Sequence, residues 1–139
     1  MTPEQTPLEV AQLFVQRINS QDLDGLANLM SAGHRFIDSL GAEFVGREVM
    51  KEGWRQYFRM VPDYTIEVSE SFSEGPVVVM LGVAGGTYST DGTLDPGYAW
   101  RTPGAWRAHV IDGEVVGWQV YADNEAIRRC MRERMKDEG

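Results

Sequence analysis

Apolar residues recur at the spacing of an α-helix in four stretches of the chain. The first stretch follows Thr6 and Glu9, which have the spacing of a capping box, and the second follows Asp22, a residue type that favours the helix N-cap. The third stretch covers 46–62 and the last covers 124–136. The pattern therefore predicts two consecutive helices, a third helix in the middle of the chain and a fourth at its end.

Alternating or continuous apolar runs between these helices predict β-strands. Residues 64–69 alternate with a period of two, as in a strand with one solvent-facing side. Residues 77–81 are continuously apolar, which predicts a central strand with both faces buried. A strong hairpin signal, Asp112-Gly113, separates the two longest runs. The predicted strands are 35–38, 43–45, 64–69, 77–81 with a continuation as far as 88, 98–111 and 114–122.

The order of these elements indicates the fold class. Helices early in the chain and a run of strands later are typical of the α+β class. A curved antiparallel sheet wrapped around the N-terminal helices would bury Trp54 and Phe58 and leave a cone-shaped cavity, with a C-terminal helix after the last strand. The length of 139 residues and the lack of any linker-like tract predict one domain, 1–139.

The charge of the chain disfavours two classes of partner. Thirteen basic and 21 acidic residues give a net charge of −8. Nucleic acids and anionic membranes both need a positive surface, so we expect neither as a partner. No apolar run approaches the roughly 18 residues of a membrane span. Because the first seven residues also lack the pattern of a signal peptide, we expect a cytoplasmic protein.

Cysteine and histidine content argues against a metal site. Cys130 is the only cysteine, which excludes an internal disulfide and a multi-cysteine metal site. The two histidines, His34 and His109, are too few to build a His-rich metal centre. His34 precedes a predicted strand, so we expect it at a surface turn.

Three parts of the sequence together resemble a known family. They are 19–25 between the first two helices, 36–41 with 46–48 at the start of the third helix, and Asp112-Gly113 followed by Trp118 and Asp123. In this order they resemble the SnoaL-like branch of the nuclear transport factor 2-like (NTF2-like) superfamily, over nearly the whole chain. The resemblance implies an α+β cone fold with a central cavity, and homodimers. Members include polyketide cyclases, ketosteroid isomerases, limonene epoxide hydrolases and dehydratases, so the fold alone implies no single function.

The resemblance to the ketosteroid isomerases implies a role for Asp38. In those enzymes the carboxylate in the segment that matches 36–41 is the general base. Their two oxyanion donors fall, by position, near Phe14 and Ala105, and neither side chain can donate a hydrogen bond. The resemblance therefore implies a general base in this chain but not the usual oxyanion hole.

The resemblance to the limonene epoxide hydrolases implies a role for Asp123. Those enzymes end their last strand with a carboxylate in a Trp-x-x-Tyr-x-Asp pattern, which Trp118, Tyr121 and Asp123 match. Their arginine and second aspartate would lie around 85–88, where this chain has no charge. Many polyketide cyclases have a histidine on that strand, and this chain has Tyr88, a poor proton shuttle near neutral pH.

Both carboxylates also have a structural interpretation, and the sequence leaves the choice open. Asp123 precedes the last helix and can be its N-cap, unless the neighbouring Asn124 takes that role. Asp38 can bond the backbone of its own turn at 40–41. If both face one apolar cavity instead, they would divide into an acid and a base.

The loop at Asp112-Gly113 sets which residues face each other across the last hairpin. A two-residue loop pairs residues whose numbers add up to 225, so Asp123 faces Thr102. A three-residue loop changes the sum to 224, and Asp123 then faces Arg101. A bulge near Thr102 would shift the register again. In both registers His109 lies close to the turn, roughly 25 Å along the strand from Asp123, so the two residues cannot form a dyad unless a bulge breaks the strand.

Two functional hypotheses follow. The first is an enzyme without metal or cofactor that transfers protons in a small hydrophobic molecule, as in an aldol-type cyclase, isomerase or dehydratase, with Asp123 as base and Asp38 as second carboxylate. The alternative is a non-catalytic ligand-binding or dimerisation module, in which a second copy packs on the open side of the sheet. Tyr88, Trp106 or Tyr121 would orient the substrate. The predicted cavity residues are Phe14, Trp54, Tyr57, Phe58, Tyr88, Trp106, Gln119 and Tyr121.

Overall fold

The structure is a computed structural model that describes residues 5–138. The first four residues, which entered the expectation about a signal peptide, and Gly139, the last residue of the predicted domain, lie outside the described residues. The helices are α1 (Pro7–Asn19), α2 (Leu23–Leu29), α3 (Arg47–Met60) and α4 (Glu125–Glu138). The strands are β1 (Met30–Ile37), β2 (Glu43–Val45), β3 (Thr65–Glu74), β4 (Val77–Thr87), β5 (Ala99–Ile111) and β6 (Glu114–Ala122). A short 3-10 helix, Pro96–Tyr98, precedes β5.

The helix starts follow the predicted capping chemistry. Thr6 and Glu9 exchange two hydrogen bonds of 3.1 Å between side chain and backbone, which completes the capping box of α1. The Asp22 carboxylate accepts the Gly25 N–H at 2.9 Å and caps α2. Each bond satisfies a backbone donor that the first helical turn leaves free. The predictions of both helix starts are confirmed.

The start of β1 differs from the prediction. The strand begins at Met30, directly after α2, and His34 inside it is fully buried. The expectation that His34 lies at a surface turn is therefore wrong. Ser31, Ala32 and Gly33 give no apolar alternation because this part of the strand is largely exposed, so the sequence pattern hid it.

The six strands form one curved, unclosed sheet in the order β2-β1-β6-β5-β4-β3. Four of the five neighbouring pairs within the described chain are antiparallel, and β1 and β6 are parallel. The prediction of an antiparallel sheet is thus correct except at this pair. A parallel pair joins segments far apart in sequence, and no local turn signal announces it.

The helices cover one face of the sheet, here called the inner face. Trp106 and Trp118 of this face are each 1% exposed, and the Phe14 ring of α1 packs on Trp118 with 4.7 Å between ring centroids. Along β4 the buried residues alternate with half-buried ones. The expectation that both faces of this central strand are buried therefore holds for the inner face only. The half-buried and exposed side is the outer face, and it contains Phe72, Val79, Leu81, Val83, Ala105 and Tyr121.

The last hairpin combines the predicted turn with an unpredicted bulge. Asp112 and Gly113 have φ angles of 52° and 78°, as a two-residue type I′ turn requires. Val110 faces Val115, in the register whose numbers add up to 225. Val116 is then an extra residue on β6, so His109 faces Gly117 and every later pair adds up to 226. Neither predicted register describes the far end of the hairpin, because this bulge lies next to the turn.

None of the helices within 5–138 combines the length and the apolar composition that a membrane crossing needs.

Burial favours the neutral form of His34. Its Nδ1 lies 2.7 Å from the Val115 carbonyl oxygen, so Nδ1 carries the proton and donates it. Nε2 is buried without a hydrogen-bond partner among the described residues. Desolvation by burial lowers the pKa of the imidazole, and the bond to Val115 opposes this in part. The folded protein therefore favours a neutral His34.

We expect this histidine to make the fold acid-sensitive. Below the ordinary pKa of 6.5 the unfolded chain binds a proton that folded His34 resists, so stability falls as the pH drops from about 6.5 toward the lowered folded pKa. Urea unfolding at pH 8 and pH 5 measures this loss of stability. The His34→Leu variant should lose less stability than the wild type, because it lacks the histidine while the titration of the carboxylates affects both proteins equally. An equal loss in both would contradict the role of His34.

Candidate functional site

A cavity of about 300 Å³ lies on the inner face, between α3 and the sheet. Strands supply about half of its lining residues and α3 supplies one side. The turn after β1, Tyr64 before β3 and Asn124 before α4 complete it. The lining residues are Phe36, Asp38, Ser39, Phe44, Val49, Met50, Gly53, Trp54, Tyr57, Tyr64, Ala84, Trp100, Thr102, Trp106, Val120, Ala122 and Asn124.

Aromatic rings in contact with one another form much of the wall. Trp54 lies 6.2 Å from Tyr57, Tyr57 lies 4.9 Å from Tyr64, and Tyr64 lies 6.2 Å from Trp100, measured between ring centroids. Phe36 continues the series at 6.1 Å from Trp54. Three of these pairs are nearly perpendicular, with interplanar angles of 83° to 87°. Such edge-to-face packing fixes the rings as a rigid set.

The wall also contains polar atoms that the fold leaves without partners. The indole N–H groups of Trp54 and Trp100 are buried, and neither has a hydrogen-bond partner within residues 5–138. Burial raises the pKa values of both Tyr57 and Tyr64. Both phenols therefore stay protonated at neutral pH and remain hydrogen-bond donors.

One end of the cavity is polar, and Asp38 is its charged group. The half-buried Asp38 uses Oδ1 to accept two backbone N–H bonds of 2.9 Å, from Leu40 and Ala42. These bonds close the turn after β1, as the structural interpretation of Asp38 expected. Asp38 also lines the cavity. Because both bonds end on Oδ1, the second oxygen, Oδ2, is free of protein donors in the described chain.

A second polar pair ties this turn to the start of α4. The Asn124 side-chain amide donates to the Ser39 hydroxyl oxygen at 2.7 Å, and both residues line the cavity. The bond joins positions 85 residues apart in sequence. Among the described residues the Asn124 side-chain oxygen accepts no N–H of α4, so this side chain does not cap the helix and instead joins the two segments at the polar end of the cavity.

Asp123 takes the capping role at α4. Its carboxylate accepts the Glu125 N–H at 2.9 Å, and the residue is exposed. Its backbone oxygen accepts a hydrogen bond of 2.9 Å from the Thr102 hydroxyl, so the predicted proximity to Thr102 is real but involves the main chain. Asp123 does not line the cavity with Asp38. The structure thus gives it a local structural partner and does not bring the two carboxylates together.

The remaining predicted residues divide between the cavity, the core and the outer face. Trp54, Tyr57 and Trp106 line the cavity. Phe14 and Phe58 belong to the core, and Tyr88 packs at its edge. Gln119 and Tyr121 lie on the outer face, opposite Arg107 and Ala105. The Val116 bulge explains why Gln119 and Tyr121 lie on the outer face, because a shift of one residue moves every later side chain of the strand to the opposite face.

Several cavity residues were absent from the prediction, and for some the sequence does contain a signal. Trp100 and Thr102 alternate with Trp106 on β5, so the period of two places all three on one face. Val120 faces Trp106, but only in the register that follows the bulge. Ser39 and Asn124 have no such signal, because their pairing depends on the tertiary fold.

Charge in the cavity has one sign. Asp38 is a carboxylate, and no Lys, Arg or His side chain lines the wall. Nearby arginines have carboxylate partners outside the cavity: Arg35 pairs with Glu43 and Arg55 with Glu52. Across residues 5–138 no three His, Cys, Asp or Glu side chains cluster as metal ligands would.

Comparison with protein families adds independent information. Residues 11–118 match the family model described as a SnoaL-like domain. No curated protein matches the sequence.

Solved structures share the fold at low sequence identity. A candidate SnoaL-like polyketide cyclase from Jannaschia sp. superposes with a TM-score of 0.78 at 20% identity, covering 94% of each chain. Wild-type IdmH, a candidate polyketide cyclase from Streptomyces antibioticus, gives 0.76 at 21% identity and covers 91% of this chain and 99% of its own. A hypothetical protein of ketosteroid isomerase-like fold from Catenulispora acidiphila, in complex with trimethylamine, gives 0.74 at 19% identity, covering 88% and 91%. Identities this low establish the fold and no activity.

Proposed function

The chain belongs to the SnoaL-like domain family, and we propose that it binds one small, mainly apolar molecule in the cavity between α3 and the sheet. The observation behind this proposal is a cavity of about 300 Å³ with aromatic walls and one polar end. Ligand pockets typically hold a few polar groups in a mainly apolar wall, and this volume lies near the lower end of their range of about 300–1,000 Å³. A relative of the same fold, the Catenulispora protein, is in complex with a small molecule.

The polar groups would orient such a ligand. Tyr57 and Tyr64 line the wall, and among the described residues neither hydroxyl has a hydrogen-bond partner, so each can donate to a ligand oxygen. Ser39 and Asn124 offer further donors and acceptors beside Asp38. The rings would contribute affinity through buried apolar area, and the polar end would fix the direction in which the ligand lies.

Filling the cavity should abolish binding. Ala84 is 4% exposed and lines the wall, so Ala84→Leu puts three more carbon atoms into the space that the ligand needs. We expect compounds that bind the wild type in a saturation-transfer NMR screen of small cyclic ketones, alcohols and amines to bind this variant at least about tenfold more weakly. Ala99→Leu on the same sheet changes an exposed alanine outside the wall and should leave binding intact. Equal affinities for Ala84→Leu and the wild type would refute the site.

A second candidate function is proton transfer within this cavity, and the free oxygen of Asp38 favours it. Two N–H bonds fix Oδ1, so Oδ2 is held in a defined position from which it could remove a proton next to a ligand carbonyl. A neutral Tyr57 or Tyr64 hydroxyl could then donate to the enolate oxygen. The non-catalytic alternative gains weight from Phe14 and Ala105, which supply no donor at the positions where isomerases have theirs.

Replacement of the Asp38 carboxylate by an amide tests this chemistry. Asp38→Asn keeps an oxygen for the two backbone bonds and removes the base, so we expect enzyme-dependent deuterium exchange next to the carbonyl of a bound cyclic ketone to fall by about 10²–10⁴-fold. Proton NMR in D₂O follows the exchange. Asp123→Asn, which changes the exposed cap of α4 in the same way, should exchange at the wild-type rate. A larger loss in Asp123→Asn would restore Asp123 as the base.

The outer face supports the proposal of a homodimer. Leu81, Ala105 and Tyr121 form a cross-strand row on it, and the neighbouring Phe72 is 58% exposed. Contiguous apolar patches of this kind on an antiparallel sheet commonly pack against another layer. Arg107 and Glu70 on the same face offer charges of both signs, which suits contact with an identical surface.

A charge in this row should separate the copies. We expect sedimentation analysis to give the wild type twice the mass of the 15.6 kDa chain and to give Leu81→Asp the mass of one chain, because a buried, unpaired carboxylate is costly. Leu94 lies in the loop before β5 and its side chain is already 49% exposed, so the Leu94→Asp variant should remain a dimer. A wild type that sediments as one chain at micromolar concentration would contradict the homodimer.

A further inference from the structure

We propose that the ligand of this cavity is a small organic cation whose alkylammonium group lies against the aromatic wall, with Asp38 as its counter-ion. This inference rests on the proposed binding function and names the chemical class of the ligand. It starts from the combination of aromatic rings, one carboxylate and no cationic side chain in the same lining.

The charge of the lining favours a cation over an anion or a neutral ligand. Asp38 is the charged residue of the wall, and no salt bridge engages it within the described part of the chain. A carboxylate or phosphate ligand would meet this charge without any Lys, Arg or His to offset it. A neutral apolar ligand would reduce the hydration of the carboxylate and give nothing in return. A cationic ligand would pair with the Asp38 carboxylate and offset its charge.

The rings provide the second part of the site. A cation is attracted to the face of an aromatic ring within about 6 Å of the ring centroid, and tryptophan attracts it best. Trp54, Tyr57 and Tyr64 form a connected set in which Tyr57 stands at 85° to Trp54 and at 87° to Tyr64. Because the three rings do not lie in one plane, a group placed beside them in the cavity can contact more than one ring.

Alkyl substitution on the nitrogen matches the apolar character of this wall. A primary ammonium needs three hydrogen-bond acceptors, and the wall offers few beside Asp38 and the hydroxyls. Methyl groups spread the positive charge over an apolar surface that requires no such acceptors and packs directly on rings. The cavity of about 300 Å³ accommodates a group of this size with a short polar extension toward Ser39 and Asn124.

Two ligands of the same shape test the inference. Choline and 3,3-dimethylbutan-1-ol differ in that a quaternary nitrogen replaces a quaternary carbon, so shape and apolar area match and only charge differs. Titration of the wild-type protein with each, followed by calorimetry and by tryptophan fluorescence, should show choline binding at least about tenfold more tightly. Equal affinities, or a preference for the alcohol, would overturn the cation and leave the binding function standing.

Variants then separate the two parts of the site. Asp38→Asn should weaken choline about tenfold and leave the neutral alcohol unchanged. Asp95→Asn is the matched control, since the Asp95 carboxylate accepts an N–H two residues ahead at 2.9 Å, as Asp38 does, but lies outside the cavity wall. Trp54→Leu should reduce the preference for choline, and Trp54→Phe should retain part of it. A preference unaffected by both Asp38→Asn and Trp54→Leu would refute the assignment.

Failure of both ligands to bind at millimolar concentration would also overturn the cation. The library screen with Ala84→Leu then decides the binding function separately, because it does not depend on the charge of the ligand. Thermal unfolding of every variant confirms that it is folded before titration.

Discussion

A single extra residue, Val116, determines which side chains of β6 meet the cavity. Without this bulge the register of the turn would continue, and Trp106 would face Gln119. With it, Trp106 faces Val120, and β6 turns Trp118, Val120 and Ala122 toward the helices. Because strand side chains alternate, this change of one position exchanges every residue beyond it between the two faces. The apolar side chains that β6 contributes to the cavity wall and the exposed Tyr121 on the outer face both result from this bulge.

The same constraint separates the two carboxylates. Asp38 and Asp123 each accept an N–H from the residue two positions ahead, at 2.9 Å. Asp38 also accepts the Ala42 N–H on the same oxygen, but the larger difference between the two residues lies in their surroundings. Asp38 follows β1 at the polar end of the cavity, whereas Asp123 is exposed beyond the end of β6. The position of Asp38 relative to the sheet, and not the hydrogen bond to its own turn, therefore makes its carboxylate available to a ligand.

Sequence could predict what depends on local bonds. The caps at Thr6 and Asp22 and the turn at Asp112-Gly113 are local, and the structure has them as predicted. The parallel pairing of β1 with β6 and the bond between Asn124 and Ser39 join distant segments, and no local pattern encodes either. Trp54, Tyr57 and Trp106 line the cavity, and large aromatic residues at regular spacing do indicate an interior. Gln119 and Tyr121 were misplaced because a bulge changes parity without changing composition.

The composition of the cavity wall constrains its chemistry more than the fold does. A base that removes a proton from carbon must itself accept that proton, and a cation bound beside the same carboxylate would stabilise its charged form and oppose that step. Asp38 cannot serve both purposes equally well for one ligand. If the ligand is cationic, Asp38 acts chiefly as an anchor, and the absence of a second carboxylate or a histidine in the wall becomes understandable. If the ligand is a neutral ketone, the rings supply apolar burial, the Tyr57 and Tyr64 hydroxyls can donate to its oxygen, and Asp38 is left to act as a base. The charge of the bound molecule therefore decides between a binding protein and a catalyst built on the same residues.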